Sequence, residues 1–193
     1  STIEPLQKLG TQGMILGELE YTAAQKHETW IPIDEADETS DKIRLADEEV
    51  EKKGDHFVIK GTDIRIEARA HKMSKSRGNV INPDHIIEEF GADSLRLYEM
   101  FMGPLEQVKP WSPKGVDGVN SFLHLALRLL VNEESGELNS TIYEIEPNKE
   151  QLKVLHTVIK KVSEDIEAMR FNTAISALMI FVNEANTWSQ MPK

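Results

Sequence analysis

His71-Lys72-Met73-Ser74-Lys75-Ser76-Arg77-Gly78-Asn79-Val80, running through Ile81 into Asn82-Pro83-Asp84, divides this chain into two parts of different character. Upstream, apolar residues come in short β-type runs broken by polar stretches; downstream they recur at spacings of three and four. Asn82-Pro83-Asp84 marks the change. Asn82 can cap a helix with its side chain, Pro83 has its φ preset for a first turn, and the Asp84 carboxylate is favoured by the helix dipole. A helix to Phe90 is predicted, ended by Gly91, with a second from Asp93 to Met102 that places Leu95, Leu97, Tyr98 and Phe101 largely on one side. Between His71 and Val80 two lysines three positions apart alternate with serines, and a glycine follows. That combination suits polyphosphate. Lysine is a compact mobile charge, a serine hydroxyl can donate to phosphate oxygens, and glycine lets the backbone approach or hinge, so the segment could close over a triphosphate as charge develops on departing pyrophosphate. Taken alone, a short basic loop reads more simply as a solvated turn.

Further downstream, Gly103-Pro104 stops the second helix, and a loop containing Pro110 and Pro113 follows. Val116, Val119, Phe122, Leu123, Leu127, Leu130 and Val131 then have the spacing of an amphipathic helix that frays near Ser135-Gly136. Leu152, Leu155, Val158, Ile159, Val162, Ile166 and Met169 mark another helix. Ile175, Leu178, Met179, Phe181 and Val182 mark a third, with Asn172 as its expected cap. Three such helices on short connections predict an antiparallel bundle.

Upstream, Gly13–Leu16, Thr29–Ile33, His56–Lys60 and Ile64–Ala68 read as strands of a small, mostly antiparallel β region. From Asp34 to Asp55 carboxylates outnumber Lys and Arg and large apolar residues are few, which predicts a solvated acidic insertion with a short helix near Leu45–Lys53. The expected fold class is therefore α+β: a β-rich segment over 1–70, the basic loop and following helices over 71–113, and the bundle over 114–193.

The chain's 193 residues are enough for one or two modest cores. The absence of cysteine excludes disulfide frameworks and thiolate sites, and none of the six histidines pairs with another at helix spacing, so no metal site is predicted. No apolar run is long enough to span a bilayer and the first residues do not resemble a signal peptide, so a cytoplasmic protein is expected. A net charge of -11 argues against a surface that grips nucleic acid everywhere, although a local basic stripe can do so.

Lys72-Met73-Ser74-Lys75-Ser76 matches letter for letter the signature loop of class I aminoacyl-tRNA synthetases. Asn82 to Tyr98 resembles the helical segment behind that loop in the leucyl, isoleucyl, valyl and methionyl members. Glu99-Met100-Phe101-Met102-Gly103-Pro104-Leu105, Lys109-Pro110-Trp111-Ser112, Gly115-Val116-Asp117-Gly118-Val119 and Phe122-Leu123 look like the leucyl enzymes. So do Thr11-Gln12-Gly13-Met14-Ile15-Leu16, similar to the strand on which the leucyl chain re-enters its catalytic domain, and Met169-Arg170-Phe171-Asn172-Thr173-Ala174-Ile175, similar to part of its anticodon-binding bundle.

The resemblance implies activation of leucine by magnesium-bound ATP and transfer of the aminoacyl group to tRNA. It makes ATP, leucine and tRNA the expected partners. Lys75 is the implied main contact to the ATP phosphates and Lys72 the next, with Ser74 and Ser76 as hydroxyl donors. Met73 belongs to the same ATP-binding loop and reads as an apolar anchor packing it down. Trp111 reads as a packing wedge sooner than as a stacking surface for a base. His71 and His85 read as solvent-facing, with phosphate contact by His71 the alternative, and Lys153, Lys160 and Lys161 as a solvated face that could meet a tRNA backbone.

Class I enzymes also need a His-x-Gly-His element, and no two histidines here have that spacing. The chain is thus expected to be inactive alone, with Gly13–Leu16 a strand deprived of sheet neighbours and able to self-associate through its edge. Two other readings stay open: a fragment of an isoleucyl, valyl or methionyl enzyme, and a non-catalytic RNA-binding module.

Overall fold

The computed structural model describes residues 10–193, which form two compact units, one of residues 15–81 and the other of residues 10–14 and 82–193. Residues 1–9 of the expected β-rich segment lie outside the described residues. The architecture is α+β, as the periodicities predict.

In the unit of residues 15–81 the strands are β1 (Ile15–Leu16), β2 (Leu19–Lys26), β3 (Thr29–Ile31), β4 (Asp41–Leu45), β5 (Val50–Lys53), β6 (His56–Ile59) and β7 (Arg65–Ala70). Six of them form one sheet in the order β3-β2-β7-β6-β5, with β4 also paired to β2, and every pairing is antiparallel. One face buries Tyr21, Ala23, Leu45 and Ile66, against which Leu19, Trp30, Val50 and Phe57 pack. The Tyr21 and Phe57 rings meet at 5.2 Å between centroids.

Two features of this sheet differ from the sequence-based expectation. The acidic stretch from Asp34 to Asp55 is largely exposed, as expected, but it is built into the sheet, and no α-helix forms over Leu45–Lys53. It supplies β4 and β5, separated by a single 3-10 turn over Asp47–Glu49 in which the Glu49 carboxylate accepts the Ala46 N–H at 2.8 Å. Ile43, Leu45 and Val50 turn inward while Lys42, Arg44 and Glu51 stay in water, so the charges mask the few apolar residues without disturbing their two-residue period. The other difference is β2, the central strand, which was not among the predicted runs. Its Ala23 and Ala24 are fully buried, and only tertiary packing places two alanines, poor strand formers, at the centre of a sheet. The turn from β2 to β3 uses His27 and Glu28, both at positive φ (50° and 61°), a conformation usually announced by Asn-Gly and here carrying no such signal.

The second unit holds α1 (Pro83–Phe90), α2 (Ala92–Phe101), α3 (Pro113–Leu130), α4 (Lys149–Glu167) and α5 (Phe171–Ala185), with two-residue strands β8 (Lys109–Pro110), β9 (Ile142–Tyr143) and β10 (Met191–Pro192). The Asn82 side chain caps α1 by accepting the Asp84 N–H at 3.1 Å, and Gly91 follows its end at φ +83°, as predicted. α2 packs on α1, α3 and α5, while α4 packs mainly on α5. Leu129, Val182 and Ala185 form the core between α3 and α5, joined by Phe122, Phe181 and Trp188. α4 leaves Ile159 and Ile166 at least half exposed. No helix among the described residues is long and apolar enough to cross a membrane. Gly13 and Met14 are not without neighbours: the Gly13 N–H donates to the Leu105 carbonyl at 2.6 Å and the Met14 carbonyl accepts the Lys109 N–H at 3.1 Å. The stretch expected to lack sheet neighbours is therefore paired at these residues.

Asn172 does not cap α5, which starts one residue earlier, after Arg170. The turn is held instead by Asp165, whose side chain is fully buried near the end of α4. Its carboxylate accepts from Lys161 Nζ at 2.7 Å, Thr173 Oγ1 at 2.7 Å and Arg170 Nε at 2.9 Å. Those partners, Lys161 foremost, hold the carboxyl down at about 2 against a burial effect that raises it. Because the folded value lies below the unfolded one, this stabilisation is complete above about pH 4 and is lost as pH falls towards 2. The stability gap between this chain and its Asp165→Asn variant, measured by urea unfolding, should accordingly narrow from pH 5 to pH 2; a gap independent of pH would contradict the assignment.

Candidate functional site

Residues 71–81 leave β7 as an irregular loop within the sheet unit. Its stem is set by the sheet, because the Gly17 N–H, between β1 and β2, donates to the His71 carbonyl at 2.9 Å. At its tip a turn forms: the Arg77 and Gly78 N–H groups both donate to the Ser74 carbonyl at 3.2 Å, and Gly78 takes φ +72°, which glycine adopts without Cβ strain.

Lys72 and Lys75 are exposed, and neither makes an ion pair among the described residues. Both ammonium groups are therefore available to an incoming anion. Ser74 and Ser76 place their Oγ atoms 3.3 Å apart, and Ser74 Oγ also accepts the Arg77 N–H at 3.3 Å. Met73 is half-buried, consistent with an anchoring role. The third cation of the loop, Arg77, is engaged, lying 3.5 Å from the Glu20 carboxylate, which Arg44 approaches at 4.0 Å. A recess of about 250 Å³ beside the loop is lined by Glu18, Glu20, Arg44, Arg77 and Asn79, two carboxylates facing two guanidinium groups, so its charges balance within the wall.

Glu20, Gly17 and Asn79 were not singled out from the sequence. Glu20 and Gly17 carry no local signal, and Asn79 follows a glycine, a turn signal too common to identify it.

Other sequence candidates sort by burial and partner. Trp111 is 5 % exposed and meets Tyr98 edge-on at 5.0 Å, so it is a packing residue and presents no face to a base. His85 is exposed on α1, and His71 is half-buried, with its carbonyl as the engaged group. Lys161 is held by Asp165, and Lys160 lies 3.9 Å from Glu164, whereas Lys153 is exposed. Among the described residues no three His, Asp or Glu side chains converge as metal ligands.

Comparison with known proteins gives matches for both units. Residues 48–109 match the family described as tRNA synthetases class I (I, L, M and V), and residues 148–191 match the anticodon-binding domain of tRNA ligase. A leucine–tRNA ligase of Rhodopirellula baltica is 44% identical over 207 aligned positions, covering 98% of this chain and 22% of that protein. One from Leptospira biflexa serovar Patoc is 57% identical over 123 positions, 63% of this chain and 14% of that protein. A solved LeuRS-tRNA-LeuAMS ternary complex from Agrobacterium radiobacter K84 is similar at 29% identity and a TM-score of 0.46, over 58% of this chain and 16% of that one. The chain spans at most 22% of the length of these curated relatives.

Proposed function

This chain belongs to the leucine–tRNA ligase family of class I tRNA synthetases, and from that premise we propose that it is the part of such a ligase carrying the ATP-phosphate loop and the first tRNA-binding helices. The observation that carries the proposal is the loop itself: Lys72 and Lys75 stand exposed without ion-pair partners among the described residues, on a stem fixed to the sheet, in a chain 44% identical to a leucine–tRNA ligase over nearly its whole length.

In the reaction proposed for the complete ligase, a leucine carboxylate oxygen attacks the α-phosphorus of ATP, the bond to the β-phosphate oxygen breaks, and pyrophosphate leaves. A hydroxyl of the terminal ribose of tRNA then attacks the adenylate carbonyl, and AMP leaves. Lys75 is proposed as the main contact to the leaving phosphates and Lys72 as the second, both acting by charge and not by proton transfer. Ser74 and Ser76 donate hydroxyl hydrogen bonds, and Met73 packs the loop against the protein. Magnesium would arrive with ATP, and no residue of this chain is assigned to it. The helices after Pro113 are proposed to face tRNA, and the cytoplasm is the proposed compartment. By itself the chain is proposed to be inactive, since it amounts to about a fifth of such a ligase.

The test is amino-acid-dependent ATP–pyrophosphate exchange by the full-length ligase with leucine, isoleucine, valine and methionine, and by this chain alone. Exchange with leucine only, and none from the chain alone, is the expected result. Exchange with another of the four would replace the leucine assignment, and none with any, together with salt-sensitive tRNA binding by the chain, would favour a non-catalytic RNA-binding module.

A further inference from the structure

We propose that Asn79 is the positioning residue of the phosphate loop, its amide seated on Gly17 and setting the backbone that carries Lys72 and Lys75; this rests on the reading of that loop given above. Asn79 Nδ2 lies 3.4 Å from both the His71 and Lys72 carbonyl oxygens, and Oδ1 accepts the Ser74 N–H at 2.9 Å. One side chain near the exit of the loop thus bonds the two residues at its entry and the residue at its turn. The backbone bonds inside the loop run only among residues 74–78, so they shape the tip without joining it to the stem. Asn79 makes that connection.

Gly17 gives the amide its seat. A Cβ built on Gly17 would fall 2.7 Å from Asn79 Nδ2, 3.1 Å from its Cγ and 3.2 Å from its Cβ, so the amide packs flat on a backbone that only glycine leaves open. The same residue donates its N–H to the His71 carbonyl, so stem and amide are located by one point of the chain. The polarity of the contacts requires an amide: two carbonyls need a donor and one N–H needs an acceptor, which no other side chain of this size supplies together. Aspartate would keep the bond from Ser74 but set an oxygen, and a negative charge, against the two carbonyls and beside the phosphates. The Lys72 carbonyl is held directly, and Lys75 follows the held Ser74, so the amide fixes the origin from which each lysine side chain reaches.

The test uses the full-length ligase with Asn79→Ala, Asn79→Asp, Gly17→Ala and, as reference, Lys75→Ala, following leucine-dependent ATP–pyrophosphate exchange, thermal midpoint and hydrogen exchange at the Ser74 amide. Asn79→Ala should lower kcat by about 10- to 100-fold, the scale of an ångström-sized misplacement, with the leucine KM within about twofold of wild type. Its thermal midpoint should hold while the Ser74 amide exchanges faster. Asn79→Asp should lose a similar amount although it is isosteric, and Gly17→Ala should reproduce the loss by unseating the amide. These two variants carry the test if Asn79→Ala fails to fold. Unchanged protection at Ser74 in Asn79→Ala, or unchanged kcat in both Asn79 variants while Lys75→Ala falls, overturns the positioning role and leaves the phosphate loop standing. A silent Lys75→Ala removes the phosphate loop and the positioning role with it.

Discussion

Lys75→Ala in the full-length ligase should lower kcat for leucine-dependent ATP–pyrophosphate exchange by about 10²- to 10³-fold, the loss typical of removing one preorganised partner of transition-state charge. Lys75 is exposed, makes no ion pair among the described residues and sits beside the turn that Ser74 closes, so its removal leaves no buried group unsatisfied and should not disturb folding. The effect should fall on kcat more than on the ATP KM, because the charge it opposes grows as the bond to pyrophosphate breaks. Lys75→Arg should restore only part of the rate, since a planar guanidinium cannot occupy the place of a compact ammonium. Loss confined to the ATP KM would mean that Lys75 helps to bind ATP and does nothing further for the reaction. An unchanged rate would remove the loop from the chemistry.

The largest stability effect is expected at Tyr98, which is 4% exposed where α2 meets the entry to α3. Its hydroxyl accepts the Ser112 N–H at 3.0 Å, and its ring takes the edge-on contact with Trp111. Burial pushes the phenol up from its ordinary value, so it stays neutral and keeps its O–H. A Cβ on Gly115 would stand 2.4 Å from Tyr98 Cε2, so the ring fills the space that this glycine leaves in the first turn of α3. Tyr98→Ala should cost about 3–5 kcal/mol, as large-to-small changes at buried aromatics do. Tyr98→Phe removes only the acceptor for the Ser112 N–H and should cost about 1–3 kcal/mol. Gly115→Ala, overpacked beside the native ring, should cost about 1–3 kcal/mol. It should be tolerated once Tyr98 is alanine, a coupling that a double-mutant cycle in urea would measure through the helical signal. Additive losses would show that ring and glycine do not share the space.

Signals that act over a few residues were legible before any coordinates. Asn82-Pro83-Asp84 opens α1 and Gly91 follows its end, because a cap is a bond between a side chain and a backbone group two residues away. The periodicities located α3, α4 and α5 to within a few residues at most boundaries, because the spacing of three and four marks a helix whether its apolar face is buried, as in α3 and α5, or largely left open, as in α4. Where local signals competed, reading them singly failed. Asn172 had the chemistry of a cap, but Asp165, seven positions earlier, takes Arg170 and Thr173 and so decides where α5 begins.

The sequence by itself determined the α+β class and the place of a loop with two lysines and two serines between its two parts, since each depends on residue type and on neighbours within a turn or two. Tertiary structure alone decided that an acidic stretch becomes β4 and β5, that two alanines lie at the centre of β2, and that Gly17 and Glu20 meet the loop at Asn79 and Arg77. Sheet pairing is the reason. It brings Tyr21 beside both Leu45 and Ala68, and the worth of a side chain there is set by what arrives across the strand, which no local window contains.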